Sequence, residues 1–250
     1  MGIGRAVLLH GFLGSRVQML PFAARLVRDG WKVSNYGYES TRFSIEEHAR
    51  ALAESLKDSP EEKTAFVTHS FGGVILRAAL SRPECPQSAR RSRIVLIAPP
   101  LGGSSLARSF RTMPVGLKYV AEIVMGAKSG AQLRDIEFDA FRTALGRFPI
   151  QSRILLVVGN AGSINPLLRE PSDGVVTVEE VTKGLPDEHR KLVFRATHNV
   201  LLYSPTVMSS AVEFLRGNDD VGELINPEPS NLCDVRDGCA SETVREKNGD

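Results

Sequence analysis

The stretch FVTHSFGGVILRAAL, residues 66–80, places a lone serine between two apolar runs of different character. Residues 66–69 belong to a strand-like run, and the residues that follow Gly72 and Gly73 have a helix-like pattern. A serine before two glycines is most often an ordinary turn residue. The same arrangement is typical of a nucleophile on a sharp strand-to-helix bend, so the rest of the chain has to decide between these two interpretations.

Six short runs rich in Val, Ile and Leu are predicted to be strands. Several are apolar at consecutive positions, which is typical of strands that are covered on both faces. Helical patterns separate them, so the sequence predicts an α/β fold with a mostly parallel central sheet and helices on both faces. The predicted strands are residues 6–10, 31–36, 64–69, 93–98, 153–158 and 191–196.

Local signals predict where the helices begin and end. Ser44 and Glu47 have the spacing of a capping box at the start of an amphipathic segment. A helix is predicted over residues 21–30, which begin with proline and end with glycine. Ser204 as N-cap and Gly217 as stop signal delimit the helix predicted after the last strand.

Two regions depart from the alternation of strands and helices. Residues 99–150 are too long for a simple connection and have a helical pattern, so they are predicted to form an insertion over one edge of the sheet. Residues 218–250 contain nine acidic and three basic side chains and few large apolar residues, which predicts a disordered acidic tail. We therefore expect one α/β domain over residues 1–217, which includes the insertion, followed by the tail.

The insertion contains an apolar stripe at helical spacing, formed by Leu117, Val120, Ile123 and Val124. Such a stripe suits plain packing against the core, and it also suits a lid over a fatty chain. The sequence leaves both interpretations open.

The bulk composition excludes several classes of function. With 42% hydrophobic and 24% charged residues and a net charge of +2, the chain is a typical globular protein without strong attraction to nucleic acid or anionic membranes. Its three cysteines have no zinc-type spacing, so no metal is expected, and Cys233 and Cys239 are expected to be free thiols. No apolar run reaches the roughly 20 residues of a membrane span. The N-terminus lacks the features of a signal peptide, so the cytoplasm is the expected compartment.

Polar residues that follow the predicted strands are candidates for a site, because ligands of a parallel sheet bind beyond the carboxyl ends of its strands. Ser70 follows the third strand, Asp173 lies in the loop after the fifth, and His198 follows the sixth. A serine needs an imidazole to accept its proton during attack, and the imidazole needs a carboxylate that fixes its tautomer. The three residues therefore predict a nucleophile, an orienting acid and a general base.

The oxyanion that develops during such an attack needs at least two fixed N–H donors. The backbone of Phe71 can supply one of them. The other is expected from the loop after His10 and Gly11, either from Phe12 or from Leu13.

Other residues compete for two of these roles. Asp135, Glu170, Glu179 and Asp187 could replace Asp173 as the acid. Among the other histidines, His10 is expected to order the backbone of its loop and His69 to point in a different direction from Ser70. His48 and His189 are expected to be solvated.

The complete set of motifs resembles the α/β-hydrolase family, and within it the small bacterial lipases and esterases. The residues that carry the resemblance are LLHGFLGS (8–15), VTHSFGGVI (67–75), LIAPPLGGSSLA (96–107), VVGN (157–160), PSDGVVTV (171–178) and ATHNVLL (196–202). The family's elbow is Gly-x-Ser-x-Gly, and here Thr68 stands at the first glycine. The resemblance implies Ser70 as nucleophile, Asp173 as acid, His198 as base, and Phe12 and Phe71 at the oxyanion hole.

These observations predict a serine hydrolase that cleaves carboxylic esters through an acyl-enzyme and needs no cofactor. The phenylalanines near the site favour an apolar acyl group, so a small-molecule ester is the expected partner, with a lipid as one candidate. Three alternatives stay open: an acyltransferase or a thioesterase with the same triad, and a silent binding protein on a hydrolase scaffold. A nucleotide-binding function is excluded, because HGFLGS lacks the Gly-x-Gly-x-x-Gly fingerprint.

Overall fold

Six parallel strands form a single sheet in the computed structural model of the chain. The strand order is β2-β1-β3-β4-β5-β6, so β3 has β1 on one side and β4 on the other. The strands are β1 (Arg5–Leu9), β2 (Lys32–Tyr36), β3 (Thr64–His69), β4 (Arg93–Ile97), β5 (Arg153–Gly159) and β6 (Arg190–Phe194). The structure describes residues 3–57, 63–112, 114, 128–135, 138–168, 170–183, 185–186 and 189–219. The predicted α/β fold class and all six predicted strands are confirmed.

Helices surround this sheet and connect its strands. In chain order they are α1 (Leu20–Arg28), α2 (Ile45–Ser55), α3 (Phe71–Leu80), α4 (Gln87–Arg90), α5 (Ser105–Ser109), α6 (Ser129–Asp135), α7 (Phe138–Leu145), α8 (Val178–Thr182), α9 (His198–Tyr203) and α10 (Pro205–Arg216). Short 3-10 turns over Arg16–Met19 and Phe110–Thr112 precede α1 and follow α5. Among the described helices, none has the length and apolar content to cross a bilayer.

Two apolar layers cover the two faces of the sheet. Alternate strand residues point to opposite faces, so Leu9 packs in the layer of α2 and α3, while its neighbour Leu8 packs in the layer of α1 and α10. The central strand β3 is buried along its whole length. This two-sided burial explains why the strands are apolar at consecutive positions.

The helix signals in the sequence act as predicted. The hydroxyl of Ser44 accepts a hydrogen bond from the amide of Glu47, whose carboxylate accepts one from the amide of Ser44. Ser204 caps α10, and Gly217 ends it with φ at 118°, in the left-handed region that glycine tolerates. These contacts satisfy backbone groups that would otherwise lack partners at the helix ends.

The described helices between β4 and β5 pack on the face of the sheet that holds α2 and α3. Gln132 on α6 accepts a hydrogen bond from the amide of Ile45, and the buried Arg77 on α3 donates to the carbonyl of Gly146 after α7. The apolar stripe from Leu117 to Val124, Cys233, Cys239 and nearly all of the predicted tail lie outside the described residues. Cys85 is buried and forms no disulfide within the described residues.

Candidate active site

Ser70 lies on a strained bend between β3 and α3. Its backbone has φ 51° and ψ −122°, a conformation that costs energy in a residue with a Cβ atom and that packing must hold in place. The amide of Ser70 donates to the carbonyl of Ile97 at the end of β4, and its carbonyl accepts from the amide of Gly73. Strain at a held position of this kind is typical of functional sites.

Gly72 and Gly73 allow α3 to approach the sheet closely. A Cβ atom on Gly72 would lie 2.8 Å from the carbonyl oxygens of Leu9 and His10, and one on Gly73 would lie 2.7 Å from Cβ of Pro99. The first glycine of the elbow pattern is replaced by Thr68, which is fully buried. In this chain, the tight packing of the bend therefore falls on the two glycines after Ser70.

Asp173 is held in a turn after β5 by hydrogen bonds to its own loop. Its Oδ1 accepts from the amides of Val175 at 2.9 Å and Val176 at 2.8 Å, and its side chain is fully buried. Gly159 makes room for it, because a Cβ atom there would lie 2.6 Å from Cβ of Asp173. Only a short-range turn motif was visible in the sequence, so the contribution of Gly159 was missed.

His198 is the first residue of α9 and is fixed to Asp173 at two points. Its Nδ1 donates to Oδ2 of Asp173 at 2.7 Å, and its amide donates to the carbonyl of Asp173 at 2.9 Å. Because Nδ1 is the donor, Nε2 holds the lone pair of the neutral ring. The structure thus brings two of the sequence-predicted site residues into direct contact, in the tautomer that a general base requires.

The other candidates for the acid do not reach His198 where they are described. Glu170 is exposed, and Glu179 forms an ion pair with Lys183 that lowers its pKa. Asp187 and the side chain of Asp135 lie outside the described residues.

The sequence analysis predicted only the direction of His69 and missed its contact with His198. It is buried beside His198, with 4.8 Å between the ring centroids, and its Nε2 donates to the carbonyl of His198 at 3.3 Å. Burial and repulsion from His198 lower the pKa of His69 to about 3, so it is neutral near pH 7. Its Nδ1 has no hydrogen-bond partner in the described part of the chain.

The loop after β1 leaves one of its two candidate amides free. Leu13 donates its N–H to Oγ of Ser40 at 2.9 Å, whereas the N–H of Phe12 has no partner among the described residues. The N–H of Phe71, at the N-terminus of α3, is equally free within the same residues. The rings of Phe12 and Phe71 meet edge to face at 5.4 Å. The structure therefore favours Phe12 over Leu13 as the second donor.

Gly11 and His10 support this loop. A Cβ atom on Gly11 would lie 3.1 Å from Nδ1 of His69 and 3.2 Å from Cβ of Ser70, so the loop and the bend are in close contact. His10 donates from Nδ1 to the carbonyl of Gly11 and stacks on Tyr38 at 4.2 Å. The predicted ordering of the backbone by His10 agrees with this contact.

The expectation that His48 is solvated is wrong. His48 is 5% exposed and packs edge to face against Tyr38 and Phe43. Burial lowers its pKa, and its Nε2 has no partner in the described residues. His189 is half-buried, and its ring contacts the carbonyl of Pro186. His48 lies on the buried face of α2 with Ile45 and Leu52, so the helical spacing already indicated its burial and the expectation overlooked that position.

A polar groove of about 930 Å³ opens beside the loop after β1. It lies at the carboxyl ends of β1 and β2, and its lining includes His10 and Leu13, the residues on either side of the Gly11–Phe12 pair. Its lining also includes Arg16, Tyr38, Glu39, Thr41 and Arg42.

The fold is similar to that of several lipases and esterases of known structure. A Bacillus licheniformis lipase in its mature form aligns with 80% of this chain and 86% of its own at a TM-score of 0.62 and 18% identity. A Pyrococcus furiosus esterase aligns over 86% and 82% at 0.55 and 18% identity, and a metagenomic carboxyl esterase over 78% and 64% at 0.55 and 23% identity. No protein-family model and no curated protein matches the sequence. The likenesses establish that the chain has the α/β-hydrolase fold.

Proposed function

We propose that this chain, which has the α/β-hydrolase fold, is a carboxylic ester hydrolase in which Ser70 is the nucleophile, His198 the general base and Asp173 the orienting acid. The observation that carries the proposal is the buried hydrogen bond of 2.7 Å from His198 to Asp173, together with the strained bend that presents Ser70. The lipases and esterases of similar fold support the same reaction type.

The first half of the reaction forms an acyl-enzyme. Oγ of Ser70 attacks the carbonyl carbon of the ester while Nε2 of His198 accepts the hydroxyl proton. The negative oxygen of the tetrahedral intermediate accepts hydrogen bonds from the amides of Phe12 and Phe71, and the N-terminal end of α3 adds favourable electrostatics. His198 then gives its proton to the leaving alkoxide, and the carbon–oxygen bond of the ester breaks.

The second half releases the acid. Nε2 of His198 accepts a proton from water, whose oxygen attacks the acyl carbon, and the bond to Oγ of Ser70 breaks as the proton returns to Oγ. During both halves, the fully buried carboxylate of Asp173 stabilises the imidazolium of His198 and keeps its ring in one tautomer.

The acyl group beside the scissile bond is apolar in this proposal. The ring of Phe71 is fully buried. The contact with the acyl group therefore comes from Phe12, which is half-buried and packs against the ring of Phe71.

A series of p-nitrophenyl esters from acetate to palmitate tests the proposal, run with the parent and with Ser70→Ala. We expect turnover by the parent and its loss in Ser70→Ala, with an unchanged circular dichroism spectrum as the control for folding. The chain-length optimum separates an esterase from a lipase. Equal rates in the two proteins, or no hydrolysis of any ester by the parent, would contradict the proposal and would favour acyl transfer or a silent scaffold.

A further inference from the structure

The polar groove lies on the side of Ser70 that is opposite to His198. Its walls come from the segments after β1 and β2, whereas Asp173 and His198 follow β5 and β6. Because the sheet order is β2-β1-β3-β4-β5-β6, Ser70 at the end of β3 lies between the two regions. The groove is therefore separated from the general base by the nucleophile and the amide of Phe12.

This position indicates which part of an ester the groove would receive. The leaving oxygen must face Nε2 of His198, because it takes its proton from that atom. The carbonyl oxygen points to the amides of Phe12 and Phe71. The remaining substituent of the tetrahedral carbon, the acyl chain, then extends away from His198 and toward the groove.

Among the residues that the structure describes, one positive charge in the groove has no acidic partner. The guanidinium of Arg42 pairs with Glu39 at 2.9 Å, so their charges balance. Arg16 has neither a carboxylate nor any other hydrogen-bond partner for its guanidinium in the described residues. A charged group with free donors in a groove of this size is suited to an anion.

The exposed side chain of Arg16 lies against the groove wall at Gly37. A Cβ atom on Gly37 would lie 2.8 Å from Cδ and 2.9 Å from Nε of Arg16, so the side chain lies directly over this glycine. The carbonyl of Arg16 also accepts a hydrogen bond from the side chain of Asn35 at the end of β2. Gly37 thus leaves space for Arg16 that any larger residue would take.

Resting on the proposed ester hydrolysis, we propose that the groove binds an acyl chain whose far end is a carboxylate, and that Arg16 pairs with this carboxylate. The substrate class is then a monoester of a dicarboxylic acid, with an apolar segment next to the scissile bond and an anionic end in the groove. The hydroxyl of Thr41 and the ring of Tyr38 complete the polar wall around that end.

The test compares matched pairs of esters that differ in one terminal carboxylate. The substrates are mono-p-nitrophenyl adipate and suberate, with p-nitrophenyl hexanoate and octanoate as their uncharged counterparts. In Arg16→Gln, kcat/KM for the anionic ester of at least one pair is expected to fall about five- to tenfold through a higher KM, while the uncharged esters are unaffected. Added salt is expected to reduce the parent's preference for the anionic ester.

Two further variants make this test specific. The quantity compared is the ratio of kcat/KM for the anionic ester to kcat/KM for its uncharged counterpart. Gly37→Ala keeps the charge of Arg16 but displaces its side chain, so this variant is also expected to lower that ratio. Arg25→Gln removes an exposed charge from α1, outside the groove, and is expected to leave the ratio unchanged. The proposal is overturned if Arg16→Gln keeps the parent's ratio in both pairs, or if Arg25→Gln lowers it equally. In either case, hydrolysis of the uncharged esters that depends on Ser70 would leave the proposed function intact.

Discussion

On the side of β5 and β6, hydrogen bonds within the chain fix the polar groups of the site, whereas on the side of β1 and β2 two donors have no partner within the described residues. Asp173 accepts hydrogen bonds from the amides of Val175 and Val176 and from both the ring and the amide of His198. In contrast, the amide of Phe12 and the guanidinium of Arg16 have no partner in the described residues.

This difference matches the two tasks of such a site. A group that gains and loses charge during a reaction needs a fixed environment, because reorganisation at each step would raise the barrier. A group that binds substrate needs donors that the protein itself does not use. The comparison predicts that substitutions on the two sides have different consequences for rate, stability and substrate preference.

The largest effect is expected from Asp173→Asn. The amide can no longer hold His198 in the tautomer that leaves Nε2 free, so kcat should fall about 10³- to 10⁴-fold with little change in KM. Steady-state kinetics on p-nitrophenyl esters measure this effect. Glu179→Gln, an exposed acid on α8, is the matched control and should keep the parent's rate. A similar loss in both variants would show that Asp173 has no special role.

The glycines on the two sides provide the next comparison. In Gly159→Ala, the new Cβ meets Cβ of Asp173 at 2.6 Å and the carbonyl of Ala196 at 2.9 Å, so the acid must move. We expect an activity loss of about 10- to 100-fold and a decrease of about 1–3 kcal/mol in the free energy of unfolding.

Gly37→Ala, on the other side, displaces only the exposed side chain of Arg16. Its free energy of unfolding should stay within about 0.5 kcal/mol of the parent's, and its hydrolysis of uncharged esters should be unchanged. Urea denaturation and steady-state kinetics of the two alanine variants test the pair. Equal destabilisation by both would contradict the difference between the two sides.

The pH dependence of stability tests the buried histidine between these sides. The pKa of His69 is about 3 in the folded protein and 6.5 in the reference state. As the pH falls, the unfolded chain binds a proton at this histidine at a higher pH than the folded protein does. The contribution of the neutral His69 to the free energy of unfolding is therefore fully present above about pH 6.5. It is lost as the pH falls toward 3, at up to about 1.4 kcal/mol per pH unit.

In His69→Gln, urea denaturation between pH 7 and pH 4 should therefore show a shallower decline than in the parent. Some decline remains, because burial also lowers the pKa of His10 and of His48. Parallel curves for the two proteins would mean that His69 is not held neutral by its surroundings.

A modest effect is expected from Ser40→Ala. This change removes the hydroxyl that accepts the amide of Leu13, so the loop after β1 should lose order. We expect a loss of about 1 kcal/mol in stability and a two- to fivefold decrease in kcat/KM. Ser55→Ala removes a hydroxyl that donates to Leu52 within α2, and it should not change the kinetics. Equal kinetics in Ser40→Ala and the parent would exclude this support of the loop.

The features that could be predicted from the sequence depend on neighbours along the chain. Consecutive apolar residues indicated the strands, and Ser44 with Glu47 indicated the start of α2, because both signals are local. The order of Ser70, Asp173 and His198 was visible because parallel strands end at one edge of a sheet.

The features that were missed depend on residues far apart in sequence. Ser40 is 27 positions from Leu13, yet its hydroxyl decides which amide of the loop is free. Gly159 is required because Asp173 packs against it. The burial of His48, in contrast, follows from its position on the apolar face of α2 and was overlooked. The pairings of Ser40 with Leu13 and of Gly159 with Asp173 have no periodic or compositional signal, so only the folded structure reveals them.

The central claim is that Ser70 is a nucleophile that His198 and Asp173 activate, and its most direct test is covalent labelling. The parent and Ser70→Ala would be treated with diethyl p-nitrophenyl phosphate, and the adduct would be located by peptide mass mapping. We predict release of one equivalent of p-nitrophenolate and one diethylphosphoryl group on Oγ of Ser70, with neither in Ser70→Ala. An adduct on another residue, or no adduct in a parent that hydrolyses esters, would contradict the account.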